Sequence, residues 1–269
     1  MQSYSDKVVV ITGSTTGIGF SLARQFGREG ASVVVSGLPT DDVAGAIAAL
    51  GEEGITAAGT ECDVTRREDV EGLAEFTWQT FGTADVLVNN AGISIAPSPL
   101  IDLDLDDFRR LYEVNVYGVL NGIQVFGKRF IERGQPAGIY NLGSENSIFP
   151  CVPSAHPYVS SKHAILAITE LLAEEVPGFI EVALIMPGLV KSEMTRVLGM
   201  GMETDEFTAR ILEQLKAGEF YAVSHPYNRV RLEERFRRIS AAYDRYAPRE
   251  PGDEDLDIRT IIAKLQGGG

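Results

Sequence analysis

Tyr158 and Lys162 stand four residues apart in a stretch that reads as helix, so both side chains lie on one face. A free phenol titrates near about 10 and is a poor base at neutral pH. An ammonium beside it favours the phenolate and turns it into a usable acid–base group. Ordinary helices carry such pairs too, with Tyr as a core ring and Lys as a surface cation, so the spacing needs company. A second signal is Gly13-x-x-x-Gly17-x-Gly19, set between the β-branched run at 8–11 and a helical pattern at 20–26. Glycines there permit a tight turn and let a pyrophosphate reach the positive end of a helix; a merely tight strand–helix turn is the other reading. The spacing is not GxGxxG, and no Lys-Ser/Thr follows to make a P-loop. Asn89-Asn90-Ala91-Gly92 follows the strand-like run 85–88 directly, either as a turn or as a ligand site at a strand's carboxyl end.

The elements that must position these groups alternate. Extended runs at 8–11, 32–35, 55–62, 85–88, 138–142 and 181–186 are separated by helical patterns at 20–26, 41–53, 66–81, 105–133 and 157–176. That rhythm predicts an α/β fold, a parallel sheet with helices on both faces. Nothing before Met186 reads as a linker, so one domain is expected over 1–250, followed by an acidic, Gly-ended tail at 251–269. Past Met186 the rhythm loosens. Met194, Leu198, Met200, Met202 and Phe207 read either as core or as an apolar lid over 193–217, and Gly199 and Gly201 favour the mobile lid. Residues 220–223 read as a last strand. In 225–246, Glu233, Glu234 and Asp244 interleave with the arginines, and Leu232, Phe236 and Ile239 supply an apolar side, which predicts an amphipathic packing helix. The tail is expected to be mobile or held only by a partner subunit.

In this order and on these elements, the motifs resemble the short, single-domain branch of the short-chain dehydrogenase/reductase family. The matching residues are Thr12-Gly13-x-x-x-Gly17-Ile18-Gly19, Asp63-Val64, Asn89-Asn90-Ala91-Gly92, Asn115, Ser144, Tyr158-x-x-x-Lys162 and Pro187-Gly188-x-Val190-x-Ser192-x-Met194. The resemblance is close over 5–195 and looser beyond. It implies a Rossmann-type, doubly wound, mostly parallel seven-stranded sheet with helices on both faces. It also implies an NAD or NADP cofactor and catalysis by Asn115, Ser144, Tyr158 and Lys162. Tyr158 would exchange a proton with the substrate oxygen. Lys162 would lower the Tyr158 pKa and bond the nicotinamide ribose. Ser144 would donate to the substrate oxygen, and Asn115 would hold a water linking Lys162 to solvent. Cofactor contacts fall on Gly13, Thr15, Thr16, Gly17, Ile18, Gly19, Gly37, Leu38, Asp63, Val64, Asn90, Ala91 and Gly92. Further contacts fall on Tyr158, Lys162, Pro187, Gly188, Val190, Ser192 and Met194. Asp63 is expected at the adenine, although it also reads as an N-cap for the helix starting near Arg66.

Two departures matter. The second strand ends Ser36-Gly37-Leu38-Pro39-Thr40, with neither the Asp usual for NAD nor a basic residue for NADP, and Thr16 is not Arg. Asp41 and Asp42 lie nearby and would repel a 2′-phosphate, which tilts the reading to NAD. Glu145, next to Ser144, places a carboxylate by the substrate space, either as a substrate contact or turned to solvent or a backbone N–H. The interval from Ser144 to Tyr158 is one residue longer than the commonest family spacing, and the extra residue is placed in a pocket wall at 149–153 that includes Pro153. The substrate pocket is expected to hold Glu145, Asn146, Cys151, Val152, His156, Leu198 and Met202. His156 also reads as a helix start and Cys151 as an apolar filler. His163 reads as structural or interfacial and His225 as a turn residue.

Composition bounds the partners. The 269 residues carry a net charge of −14 and are 44% hydrophobic, enough for a packed core and contrary to a general basic field for nucleic acid. Backbone N–H groups can still hold a phosphate locally. Two cysteines without zinc-like spacing predict no metal site and no disulfide framework. No apolar run approaches the roughly 18 residues of a membrane span. Met1 to Lys7 lacks a basic stretch leading into an apolar core, so a cytoplasmic protein without a signal peptide is expected. The expected function is NAD(P)-dependent hydride transfer between the nicotinamide and a bulky cyclic, aromatic or steroid-like alcohol or ketone. The alternative is a catalytically silent dinucleotide sensor or scaffold, which typically lacks the Tyr or Lys present here. The resemblance further implies a homotetramer or homodimer built on 105–133 and 157–176.

Overall fold

A computed structural model of the chain describes residues 1–152 and 154–266; Pro153 of the expected pocket wall and the three closing glycines of the tail lie outside the described residues. Every residue of β1 (Val8–Ile11) is buried. Its side chains alternate between two cores: Val9 and Ile11 enter one, Val8 and Val10 the other. A strand buried on both faces needs this uninterrupted β-branched run. The chain then alternates as expected, through α1 (Gly17–Arg28), β2 (Ser32–Gly37), α2 (Val43–Glu52), β3 (Ala57–Glu61), α3 (Arg67–Phe81) and β4 (Val86–Asn89). It continues with α4 (Leu105–Tyr112), α5 (Gly118–Arg133), β5 (Ala137–Leu142), α6 (His156–Glu175), β6 (Ile180–Met186), α7 (Thr204–Lys216) and β7 (Tyr221–Val223).

The described residues form a seven-stranded sheet of order β3-β2-β1-β4-β5-β6-β7, and every neighbouring pair is parallel. The sheet is therefore wholly parallel rather than mostly so. Strand order reverses between β1 and β4, the position where doubly wound sheets open a crevice at their carboxyl ends. The first core joins Leu22 and Phe26 of α1 to Phe207, Ile211 and Leu215 of α7. The second joins Leu73 of α3 to Phe126 and Phe130 of α5. Each such side chain contributes about 1.5–3 kcal/mol on burial.

The helix expected over 105–133 is interrupted. Glu113–Tyr117 is a π-helical turn between α4 and α5, and it contains the buried Asn115. The widened turn is a recurrent feature of functional sites. The chain divides into two compact units, Met1–Pro226 and Tyr227–Gly269. The second unit holds α8 (Asn228–Tyr246) and α9 (Ile258–Gln266). Within that unit α8 carries the interleaved pairs Arg229–Glu233 and Arg231–Glu234 at helical spacing. The tail up to Gln266 is helical, because Asp257 accepts from the Thr260 N–H at 2.8 Å and Lys264 pairs with Asp255 at 2.6 Å. Among the described residues, no helix is long and apolar enough to cross a membrane.

Candidate active site

The β1–α1 turn is built around backbone that side chains would obstruct. Gly13 and Gly17 adopt φ of +59° and +58°, the left-handed region that L side chains rarely enter. A Cβ on Gly19 would collide with Asn90 Nδ2 and lie 2.6 Å from the Gly13 carbonyl. Asn90 Nδ2 donates to the Thr12 and Gly13 carbonyls at 2.8 Å each, and the Asn90 and Ala91 N–H groups donate to Thr12 Oγ1. The loop after β4 thus braces the glycine turn. Thr16 provides no side-chain cap to α1, and the first turn carries no acidic residue. An external anion suits that uncapped helix end.

This turn forms one wall of a cleft of about 570 Å³ over the carboxyl ends of the sheet. All the residues expected to contact a cofactor line it, together with Ser144. Asn115 and the seven residues expected in the substrate pocket do not. The neighbouring Asn89, matched to the same motif, does not face the cleft: its Nδ2 donates to Asn141 Oδ1 at 2.8 Å, and Asn141 Nδ2 donates to Thr169, a buried polar ladder from β4 to α6. Asp63 Oδ1 accepts from the Thr65 N–H and hydroxyl, a local turn rather than a helix cap; the N-cap of α3 is Arg66. Cys62 lines the cleft unforeseen, and burial, with Asp69 and Asp63 nearby, pushes its thiol up to about 12, so it stays protonated and unreactive.

Tyr158, Ser144 and Lys162 share the cleft wall at its other end. Lys162 is 4% exposed, and its Nζ donates to the Leu142 carbonyl at 2.7 Å and lies 5.6 Å from the Tyr158 ring centroid. Burial lowers its pKa to about 8. The expected effect of this ammonium on the phenol does not dominate. Burial holds the Tyr158 phenol above its ordinary value; hydrogen bonding to Ser144 acts the other way, while Cys151 and Glu145 push it up further. Ser144 is both a cap and a cleft residue: its Oγ accepts from the Asn146 N–H at 3.1 Å, while its own proton has a long 3.5 Å contact to the Pro187 carbonyl. Asn115 ties the π turn to the loop after β4, accepting from the Ile93 N–H at 2.8 Å and donating to the Ile93 carbonyl at 3.0 Å and to Ser161.

The remaining expected substrate contacts divide. Glu145 hydrogen-bonds Cys151 through one oxygen, and its Oε2 is buried without a partner among the described residues, so burial raises its pKa. Asn146 Oδ1 accepts from the Cys151 N–H at 2.8 Å and braces the loop. Val152 is exposed, and His156 is the first residue of α6.

A family model described as short chain dehydrogenase matches residues 7–202. The chain belongs to the short-chain dehydrogenase family. The dehydrogenase is 32% identical over 241 residues to 1-deoxy-11-beta-hydroxypentalenate dehydrogenase of Streptomyces exfoliatus, covering 86% of this chain and 87% of that protein. It is 34% identical over 208 residues to 3beta-hydroxysteroid dehydrogenase 1 of Eggerthella lenta, covering 77% and 79%. Among solved structures it resembles the 3-ketoacyl-(acyl-carrier-protein) reductase of Brucella melitensis complexed with NADH, at 27% identity and a TM-score of 0.73 over 82% of this chain and 97% of that one. The dehydrogenase is therefore an oxidoreductase.

Part of the stretch expected as a lid belongs to the first core. Phe207 is fully buried in the first core, where α7 packs on α1 and Ser21 bonds Asp205 and Thr208. Met202 is pinned by backbone bonds to Leu189 and Lys191, and it packs against that core. What remains is the 3-10 turn Glu193–Leu198 and the glycines after it, with Met194, Leu198 and Met200 exposed. Met194 alone of these three lines the cleft. His225, read as a turn residue, instead supports the site: its Nε2 bonds the Leu189 carbonyl at 3.2 Å, and a Cβ on Gly188 would lie 2.5 Å from its Nδ1. Its place just before Pro226 carried no sign of that packing.

Proposed function

We propose that the dehydrogenase transfers a hydride between a nicotinamide dinucleotide and the carbinol or carbonyl carbon of a bulky cyclic alcohol or ketone. The observation that carries this reading is one cleft holding an uncapped glycine cradle at one end and Tyr158, Ser144 and Lys162 at the other. The cofactor, when bound, supplies or accepts the hydride. The chain's own groups manage the proton and the charge. Ser144 directs its hydroxyl to the substrate oxygen and stabilises negative charge there. Tyr158 gives its proton to that oxygen in reduction and takes it back in oxidation. Lys162 keeps a buried cation beside the phenol and reaches the nicotinamide ribose. Asn115 positions the helix and loop around them.

The bulky substrate class is supported by the exposed Met194 at the cleft and by the hydroxysteroid and hydroxypentalenate relatives. Turnover with a panel of cyclic ketones and secondary alcohols, followed by the near-ultraviolet absorbance of reduced nicotinamide, tests it. Activity on members of that panel is expected. Dinucleotide binding without turnover on any of them would favour the silent sensor.

The cradle carries a separate prediction. Gly19→Ala forces Asn90 or the Gly13 carbonyl aside and raises the dinucleotide Kd by about tenfold or more, or about 1.4 kcal/mol. Calorimetric titration checks this, and an unchanged Kd would show that the turn does not hold the phosphates. Homodimers or homotetramers are expected through α5 and α6, where Ile131 and Leu171 stand exposed. Light scattering that returns a monomer at micromolar concentration contradicts this.

A further inference from the structure

The stretch from Pro187 to Ser192 runs the length of the cleft. At the chemical end the Pro187 carbonyl accepts from the Glu145 N–H at 2.9 Å and lies 3.5 Å from Ser144 Oγ. At the other end a Cβ on Gly17 would lie 3.7 Å from Ser192 Cβ. Pro187, Gly188, Val190 and Ser192 line the cleft, whereas Leu189 and Lys191 do not. A dinucleotide reaching from the glycine turn to Tyr158 therefore meets this strip along its reactive half.

Irregular backbone keeps one shape only where its polar groups are held. The Val190 carbonyl accepts from Thr195 Oγ1 at 2.6 Å, and the Lys191 N–H donates to the Met202 carbonyl at 2.9 Å. Those partners belong to the lid stretch itself. The Leu189 carbonyl differs, because it takes two donors: the Met202 N–H at 2.9 Å and His225 Nε2 at 3.2 Å. His225 stands just past β7, so its bond fastens the strip to the sheet.

The imidazole is itself fixed. A carbonyl only accepts, so Nε2 carries the proton, and Nδ1 takes the Ser224 hydroxyl at 2.7 Å. Ser224 is buried, and its carbonyl accepts from Arg210 of α7 at 3.3 Å. The ring also occupies the space behind Gly188, where a Cβ would lie 2.5 Å from Nδ1 and 2.8 Å from Cδ2. His225 does not line the cleft.

We propose that His225, set by Ser224, is a positioning residue for the nicotinamide half of the cofactor: its Nε2–H holds the Leu189 carbonyl from behind and so fixes the Pro187–Ser192 strip against which that half is seated. This rests on the dinucleotide reading above. The adenosine half belongs to the glycine turn, which His225 does not touch, so the two halves respond differently to its loss.

Calorimetric titration of the full-length protein tests it, with NADH and NADPH and with ADP-ribose and its 2′-phosphate, which lack the nicotinamide. His225→Leu fills much of the ring's space without the donor. It is expected to raise the Kd of the tighter-binding dinucleotide by about tenfold and to leave that of the matching ADP-ribose within about twofold. His225→Gln returns an N–H near the place of Nε2 and recovers most of the loss. Ser224→Ala, which leaves the ring but frees its tautomer, serves if His225→Leu does not fold, and is expected to weaken the dinucleotide by about threefold with ADP-ribose unchanged. An equal loss for ADP-ribose, no loss for either ligand, or a Gln variant as weak as Leu overturns the proposal while wild-type binding keeps the dinucleotide reading intact. Wild type that binds neither dinucleotide overturns both.

Discussion

Tyr158→Phe lowers kcat by about 10²–10⁴-fold, the range of a lost general acid–base group, and leaves the dinucleotide Kd within about twofold. The substitution removes one oxygen from a ring packed near Lys162 and Ser144 and changes nothing in the glycine cradle, which lies at the other end of the cleft. Steady-state kinetics with calorimetric titration separates the two quantities. Because burial holds the phenol above its ordinary value, the phenolate that oxidation needs forms only as pH rises, so alcohol oxidation should accelerate with pH while ketone reduction slows. Retained turnover in the Phe variant would assign the proton to another group. Lost cofactor binding would give Tyr158 a structural role instead.

Lys162→Met is the second large effect, and it acts in opposite directions on activity and stability. The buried ammonium titrates at about 8 in the folded protein against an ordinary 10.5. Between those values the unfolded chain binds more protons than the folded one, so wild-type stability rises with pH through that window. Below about pH 8 the folded state bears the whole penalty, of order 3 kcal/mol at about 1.36 kcal/mol per unit. Met fills similar volume without charge, but leaves the Leu142 carbonyl without its 2.7 Å donor, which costs about 1–3 kcal/mol. The expected result is a variant at least as stable as wild type at pH 7, whose relative standing falls steadily toward pH 10.5, with turnover abolished. Thermal melts of both proteins across pH check the sign. Parallel pH profiles would mean that burial does not depress the Lys162 ammonium. A buried charge kept at this expense is a common stability–activity trade-off.

The sheet and the cradle were legible in the sequence because both rest on local rules. β-branched runs buried on two faces read as parallel strands, and glycines at Gly13, Gly17 and Gly19 mark backbone that a side chain would block. The Tyr158–Lys162 spacing correctly placed the two groups on one helix face. It did not reveal that Lys162 is committed to the Leu142 carbonyl, a partner 20 residues away in sequence. Long-range partners account for the other differences. Asn89 and Asn90 are adjacent in one motif, yet one joins a ladder to α6 and the other braces the glycine turn. Phe207 looked like part of a lid because its packing partners on α1 lie far back in the chain. The π turn at Asn115 has no mark in hydrophobic spacing, and the Asn115 side chain finds its partner in the Ile93 backbone, 22 residues away in sequence. Asp41 was visible as a nearby charge, but its position over Gly37 depends on a turn closed by Leu38.

In the proposed reaction this cleft moves a hydride while Tyr158 moves the proton. Reduced nicotinamide dinucleotide deuterated at the transferable position, incubated with the protein and a cyclic ketone, tests it most directly, with mass spectrometry of the product alcohol. Wild type is expected to place one deuterium on the new carbinol carbon, and the transfer rate collapses in Tyr158→Phe, although that variant still binds the cofactor. No deuterium in the alcohol, or transfer as fast in the variant as in wild type, would contradict it.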